Sequence, residues 1–165
     1  MKKTLILIRH SKAENRDNTA NDFDRALTNE GKSDSLRMAD YLKNNGIAPD
    51  LIITSSAARA YETALVLANT LSTSEKCFSP TKKLYYCSAK TILDQLFGLG
   101  ENLNCVIVVA HNPGISDLTR GLSEERSFFM DNTQVSFMEF NIEHWYQIGD
   151  IKPAKFESYS LKNIG

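Results

Sequence analysis

Arg9-His10 follows directly on the apolar run Leu5 to Ile8, and His111 follows directly on the apolar run Cys105 to Ala110. Between them, Ser55-Ser56-Ala57-Ala58-Arg59 closes a third apolar segment, Asp50 to Thr54. The chain has only three histidines, and the third, His144, lies near the C-terminal end. An arginine guanidinium is a planar fork of donors that matches phosphate oxygens. A neutral imidazole offers one unprotonated ring nitrogen as a nucleophile near neutral pH. Singly, each fragment reads more readily as something plainer: Arg59 as a solvated helix-start residue, His111 as the cap of a following helix. Together, two arginines and two histidines at the ends of apolar segments describe a pocket for a phosphoryl group.

The elements that must position these residues are legible in the hydrophobic pattern. Thr4 to Arg9 is a Leu/Ile run of the kind buried on both faces of a parallel sheet. Residues 11–26 are polar and read as a long loop, which directly after a strand is usually functional. A helix is expected from an N-cap at Thr28, with Leu36, Ala39 and Leu42 inward, to a stop at Gly46. The clearest helix spans Ala57 to Leu71, with Ala57, Ala60, Tyr61, Ala64, Leu67, Ala68 and Leu71 on one face. A short strand is expected around Lys76 to Ser79, and helices over Ala89 to Leu99 and Pro113 to Leu122. The tail holds two strands, Gln134 to Asn141 and Ala154 to Leu161, with no helix between them. That order predicts a three-layer α/β/α sandwich: a mostly parallel, doubly wound sheet with an antiparallel pair at one edge. No linker or repeat interrupts residues 1–165, so a single domain is expected. In such sheets ligands bind beyond the carboxyl ends of the strands, where Arg9, His10, Arg59 and His111 fall. Helix N-termini after Ser11, Ser56 and Asn112 would add backbone donors for an anion, making Ser11 and Asn112 candidate phosphate contacts.

At these residues the chain resembles the histidine phosphatase, or phosphoglycerate mutase-like, superfamily. The motifs are Arg9-His10, Leu27-Thr28-x-x-Gly31, Ser55 to Arg59 with Glu62-Thr63-Ala64, and His111-Asn112-Pro113-Gly114. Asp22-Phe23-Asp24-Arg25, Leu84-Tyr85 and the segment Thr133 to Phe140 also resemble its compact SixA-type phosphohistidine phosphatase branch. The resemblance implies that His10 takes the phosphoryl group covalently and that Arg9, Arg59 and His111 hold its oxygens. The glycine usual after the nucleophile is Ser11 here, which argues against a backbone position needing positive φ. Superfamily members acting on alcohol phosphates carry a general-acid glutamate, and by resemblance that position falls near Tyr85-Tyr86, with no carboxylate. An alkoxide needs a proton to leave, whereas an imidazole leaves with less help. The expected substrate is therefore phosphohistidine on a protein. Asp22, Asp24 and Glu62 stand as alternative acids. Only one helix's worth of chain lies between Tyr86 and Cys105, too little for a closing lid.

Composition narrows the classes further. A formal charge of −1 gives no global field toward nucleic acid or an acidic membrane. The apolar fraction of 42% suits a soluble domain, and the run Leu5 to Ile8 is too short for a membrane span. Cys77, Cys87 and Cys105 are an odd number without CxxC spacing, which fits inert thiols in a reducing cytoplasm. No metal or cofactor is required, since side chains supply the positive charge. A monomer or weak dimer with a phosphorylated protein as partner is expected. Arg16 and Arg25 in the first loop read either as phosphate or partner contacts or as solvated charges. Trp145 reads as packing, and so do Phe128-Phe129-Met130. The competing functions are a small-molecule phosphomonoesterase and a catalytically inactive phosphate- or phosphopeptide-binding module.

Overall fold

The structure, a computed structural model, describes residues 2–18 and 21–165. Thr19 and Ala20, inside the expected loop, lie outside the described residues, as does Met1. Six strands form one sheet: β1 (Lys2–Arg9), β2 (Leu51–Ser55), β3 (Phe78–Thr81), β4 (Cys105–Ala110), β5 (Val135–Asn141) and β6 (Lys155–Tyr159). Their order is β3-β2-β4-β1-β5-β6. The four strands from β3 to β1 are parallel, and β5 and β6 add on antiparallel beside β1. Four helices flank the sheet: α1 (Asn29–Asn44), α2 (Ala58–Thr70), α3 (Ala89–Phe97) and α4 (Gly114–Ser123).

The alternation of β1 explains its composition. Leu5 and Leu7 pack into the layer with α3 and α4, Ile6 and Ile8 into the layer with α1 and α2, and all four are essentially inaccessible. Burying each contributes roughly 1.5–3 kcal/mol. Leu36 and Tyr61, expected inward, are exposed. The buried face of α1 is instead Ser35, Met38, Ala39 and Leu42, and that of α2 includes Arg59 and Thr63. Hydrophobic periodicity misses these polar positions because it scores them as solvent-facing.

Two glycines bring the polar segments onto this frame. Thr28 caps α1 by accepting from the Gly31 N–H at 2.9 Å. A Cβ on Gly31 would run into the Lys12 carbonyl, so the first turn of α1 presses on the loop that follows His10. A Cβ on Gly114 would run into the Cys87 carbonyl, so the first turn of α4 packs on the segment holding Tyr86. The expected helix start after Ser11 is not found. A single bridge, Ala13 to Leu27, and two short 3₁₀ turns, Arg16–Asn18 and Asp22–Asp24, stand there. Trp145 is buried as expected, its indole N–H donating to the Leu103 carbonyl at 2.8 Å.

Candidate active site

The carboxyl ends of β1, β2 and β4 deliver His10, Ser55 and His111 to one place, because the parallel register sets Arg9 beside Ala110 and Thr54 beside Val109. A cleft of about 190 Å³ opens there, lined by Arg9, His10, Lys12, Ala13, Arg25, Tyr86, His111, Asn112 and Asn132. The two imidazole centroids are 5.1 Å apart.

The hydrogen bonds of His10 define its chemistry. Nδ1 lies 2.8 Å from the Ser11 carbonyl. A carbonyl only accepts, so Nδ1 carries the proton and Nε2 keeps its lone pair. Burial above all, together with the charges of Arg59, Arg9 and Arg25, lowers the His10 pKa to about 3 and keeps the ring neutral. The backbone that holds the ring is itself braced. Asn132 donates to the His10 carbonyl at 3.0 Å, and the Ser11 N–H donates to Thr63 Oγ1 at 3.0 Å.

His111 is the complementary case. Ser55 Oγ lies 2.8 Å from His111 Nε2 and accepts from the Ala57 N–H at 3.2 Å. The Ser55 hydroxyl can also donate to Nε2, and the tautomer with that bond carries the His111 proton on Nδ1. Burial above all lowers its pKa to about 3, so this ring is also neutral. His111 Nδ1 and Arg9 Nε are buried without partners among the described residues, and both residues line the cleft. Unpaired buried donors cost stability unless a ligand satisfies them. Two around one cleft suit an anion with several oxygens.

Arg59 packs against the Nε2 side of His10 beneath the cleft lining, and it is 1% exposed. Its Nε–H points at His10 Nε2 from 3.3 Å. Nη1 donates to the Asp22 carbonyl at 2.8 Å, and Nη2 donates to Asp22 Oδ2 and to the Tyr86 hydroxyl, both at 3.0 Å. Asp22 also accepts from Tyr85 at 2.6 Å and from Arg25 at 2.9 Å. Burial alone would raise its pKa, but the Tyr85 hydroxyl, Arg59 and Arg25 hold the carboxyl well below the usual range. An ionised acceptor with this many donors orients Arg59 and has no proton to give. Glu62 accepts the Leu27 N–H at 2.9 Å, and Asp24 accepts from Asn21 at 2.8 Å. All three carboxylates weighed as general acids are thus engaged in holding loops.

The structure brings Arg9, His10, His111 and Asn112 to the cleft and Arg59 to its floor. Asn112 is also a brace: its amide donates to the Met130 carbonyl at 2.8 Å. Ser11, expected at the phosphate, is not brought there. It is fully buried, and its hydroxyl is hydrogen-bonded to Ser35 and Thr133, each at 2.7 Å. With no helix starting after it, there is no N-terminus at that point to aim donors outward. Arg16 is exposed outside the cleft, 3.4 Å from Asp22. Arg25, Lys12, Asn132 and Tyr86 line the cleft although the sequence pattern did not single them out as phosphate contacts, apart from the open question of Arg25. Among the described residues no group of three His, Cys, Asp or Glu side chains could hold a metal. No helix among them is long and apolar enough to cross a membrane.

The fold is that of the phosphoglycerate mutase-like α/β proteins. The model of the histidine phosphatase superfamily (branch 1) matches residues 5–77, which contain Arg9, His10 and Arg59. Among solved structures, a Nakamurella multipartita protein named for the phosphohistidine phosphatase SixA superposes with a TM-score of 0.81 at 19% identity, covering 95% of this chain and 96% of that one. The protein histidine phosphatase SixA complexed with tungstate gives 0.81 at 20% identity, covering 98% and 99%. A mycobacterial glucosyl-3-phosphoglycerate phosphatase gives 0.68 at 15% identity, covering 96% and 99%. No curated protein matches the chain.

Proposed function

We propose that this protein is a phosphatase that takes a phosphoryl group onto Nε2 of His10, and that its substrate is phosphohistidine on another protein. The observation that carries this is the His10 ring: Nδ1–H is held by the Ser11 carbonyl, so Nε2 carries the nucleophilic lone pair, engaged without substrate only by the Arg59 Nε–H at 3.3 Å. Nε2 attacks phosphorus in line. The P–N bond of the substrate breaks, its electron pair stays with the departing imidazole, and that ring takes a proton from solvent. Arg9, Arg59 and the Nδ1–H of His111 hold the phosphoryl oxygens, where transition-state charge resides. In the phosphorylated ring, positive charge is drawn to Nδ1–H, which the Ser11 carbonyl stabilises. Water then attacks phosphorus, the pair of the P–Nε2 bond returns to His10, and inorganic phosphate leaves.

The ionised state of Asp22, and the use of Asp24 and Glu62 in hydrogen bonds that hold loops, support an easily departing imidazole over an alkoxide. The closer superposition on the SixA structures than on the sugar-phosphate phosphatase supports the same substrate. A soluble cytoplasmic setting, a metal-independent reaction and a transient encounter with a phosphorylated domain go with it. Purified enzyme is assayed on a phosphohistidine-bearing protein and on phosphate monoesters, with His10→Ala in parallel and intact mass to detect the adduct. Rapid turnover of monoesters with the phosphohistidine protein untouched would overturn the substrate. Phosphate binding without adduct or turnover would leave only a binding module.

A further inference from the structure

Tyr86 has a backbone φ of 46°, in the left-handed region that a bulky side chain rarely adopts. Such strain persists only where surrounding structure imposes it, and it gathers at functional sites. Here the imposing contacts are visible. The preceding 3₁₀ turn ends at Leu84, the Cys87 carbonyl beyond is pinned under Gly114, and the Tyr86 hydroxyl accepts from Arg59 Nη2 at 3.0 Å. The ring is set 5.2 Å from the His111 ring and 4.8 Å from the Tyr85 ring, with the Arg59 guanidinium carbon 5.4 Å from its centre.

Despite these contacts, Tyr86 remains 47% exposed and lines the cleft that holds His10. Of the residues lining that cleft, Tyr86 is the one phenol, and the remaining lining side chains besides the two histidines are polar, cationic or a single alanine. In an in-line displacement the leaving group departs on the side of phosphorus away from His10, toward the cleft mouth. Of these two cleft-lining residues, His10 is buried and Tyr86 is half-exposed to solvent.

We propose that Tyr86 is a specificity-determining residue, the platform on which a flat aromatic leaving group stacks as it departs. Resting on the phosphohistidine reading above, it selects the imidazole of the substrate by its ring, while its hydroxyl steadies Arg59. Offset stacking of two rings corresponds to a preference of roughly fivefold.

The test uses two P–N substrates that differ in the ring, phosphohistidine and inorganic phosphoramidate. The quantity read is the ratio of their kcat/KM values. Tyr86→Asn removes the ring with a residue that tolerates positive φ, and Tyr86→Phe keeps the ring and removes the hydroxyl. The ratio is expected to fall roughly fivefold in Tyr86→Asn, mainly through KM for phosphohistidine, and to be retained in Tyr86→Phe. A ratio unchanged in Tyr86→Asn overturns the proposal. So does an equal fall in both variants, which would assign the effect to the hydroxyl on Arg59. If the wild type leaves phosphohistidine untouched, it is the substrate reading that fails. If the wild type turns it over with a ratio indifferent to the ring, only the role of Tyr86 fails.

Discussion

The two ends of the sheet bury charged and polar groups in opposite ways. At the amino end of β1, Lys3 is fully buried, and its ammonium donates to the Glu101 carbonyl and to Asn104 Oδ1. Asp50 there accepts from the N–H groups of Asn104 at 2.7 Å and Cys105 at 2.9 Å. Donors meet acceptors from the protein's own chain, and the result is a clamp between loops. At the carboxyl end, Arg9 Nε and His111 Nδ1 are buried without such partners among the described residues, and Arg59 Nε–H faces the lone pair of His10. Buried polar groups that are satisfied stabilise a fold; buried donors left unpaired around a cleft are a cost that binding an anion recovers. The contrast separates a structural end from a chemical end without reference to sequence motifs.

The sharpest way to break this contrast is His10→Ala, which should abolish the phosphoryl adduct and turnover, read by intact mass and phosphate release. Arg9→Met comes next. It should lower kcat by about 10²–10³, or about 3–4 kcal/mol of transition-state stabilisation. Stability should change by within about 1 kcal/mol, since the Met130 carbonyl that Arg9 contacts keeps its bond from Asn112. Lys3→Met should do the reverse. Losing the two part-buried hydrogen bonds of its buried ammonium costs about 1–3 kcal/mol in denaturant unfolding, with kcat unchanged. An Arg9→Met protein that unfolds while keeping kcat, or a Lys3→Met protein that loses kcat, would erase the distinction between the two ends.

The smallest effect per step is the pH dependence of stability. His10 and His111 have folded pKa values lowered to about 3, burial first among the causes. Between that value and 6.5 the unfolded chain binds protons that the folded chain does not. Their contribution is therefore fully present above pH 6.5 and is lost as pH falls toward about 3. Each histidine should supply a slope of about 1.4 kcal/mol per pH unit in that window, measured as the shift of urea midpoints. His111→Gln should remove its share of the slope. Because His10 stays neutral throughout, the acid limb of kcat/KM should lie well below pH 6.5.

The strands were readable because residues buried on both faces of a parallel sheet must be continuously apolar. β4 falls on Cys105–Ala110 as expected, and β1 extends the expected run by only two residues. The fold class followed from element order, and Arg9, His10 and His111 followed from lying at or immediately after strand ends. Where the pattern failed, a side chain's polarity and its location disagreed. Arg59 and Thr63 face inward on α2, whereas Leu36 and Tyr61 face out. Ser11 is polar but serves the interior, tied to Ser35 and Thr133 across long sequence separations. Asn132 had no local signal, because its partner is the His10 carbonyl, far away in the chain.

What the sequence determined by itself is which residues end up at the carboxyl edge of a parallel sheet, because hydrophobic periodicity and strand order are local properties. It also determined that two guanidiniums and two imidazoles gather there. Only the tertiary structure decided which atom of His10 is the nucleophile, that Asp22 is an ionised brace for Arg59, and that Tyr86 faces the cleft from a strained backbone. Tautomer, protonation state and aim depend on hydrogen-bond partners and burial supplied by other strands, helices and loops, and these exist only once the chain is folded.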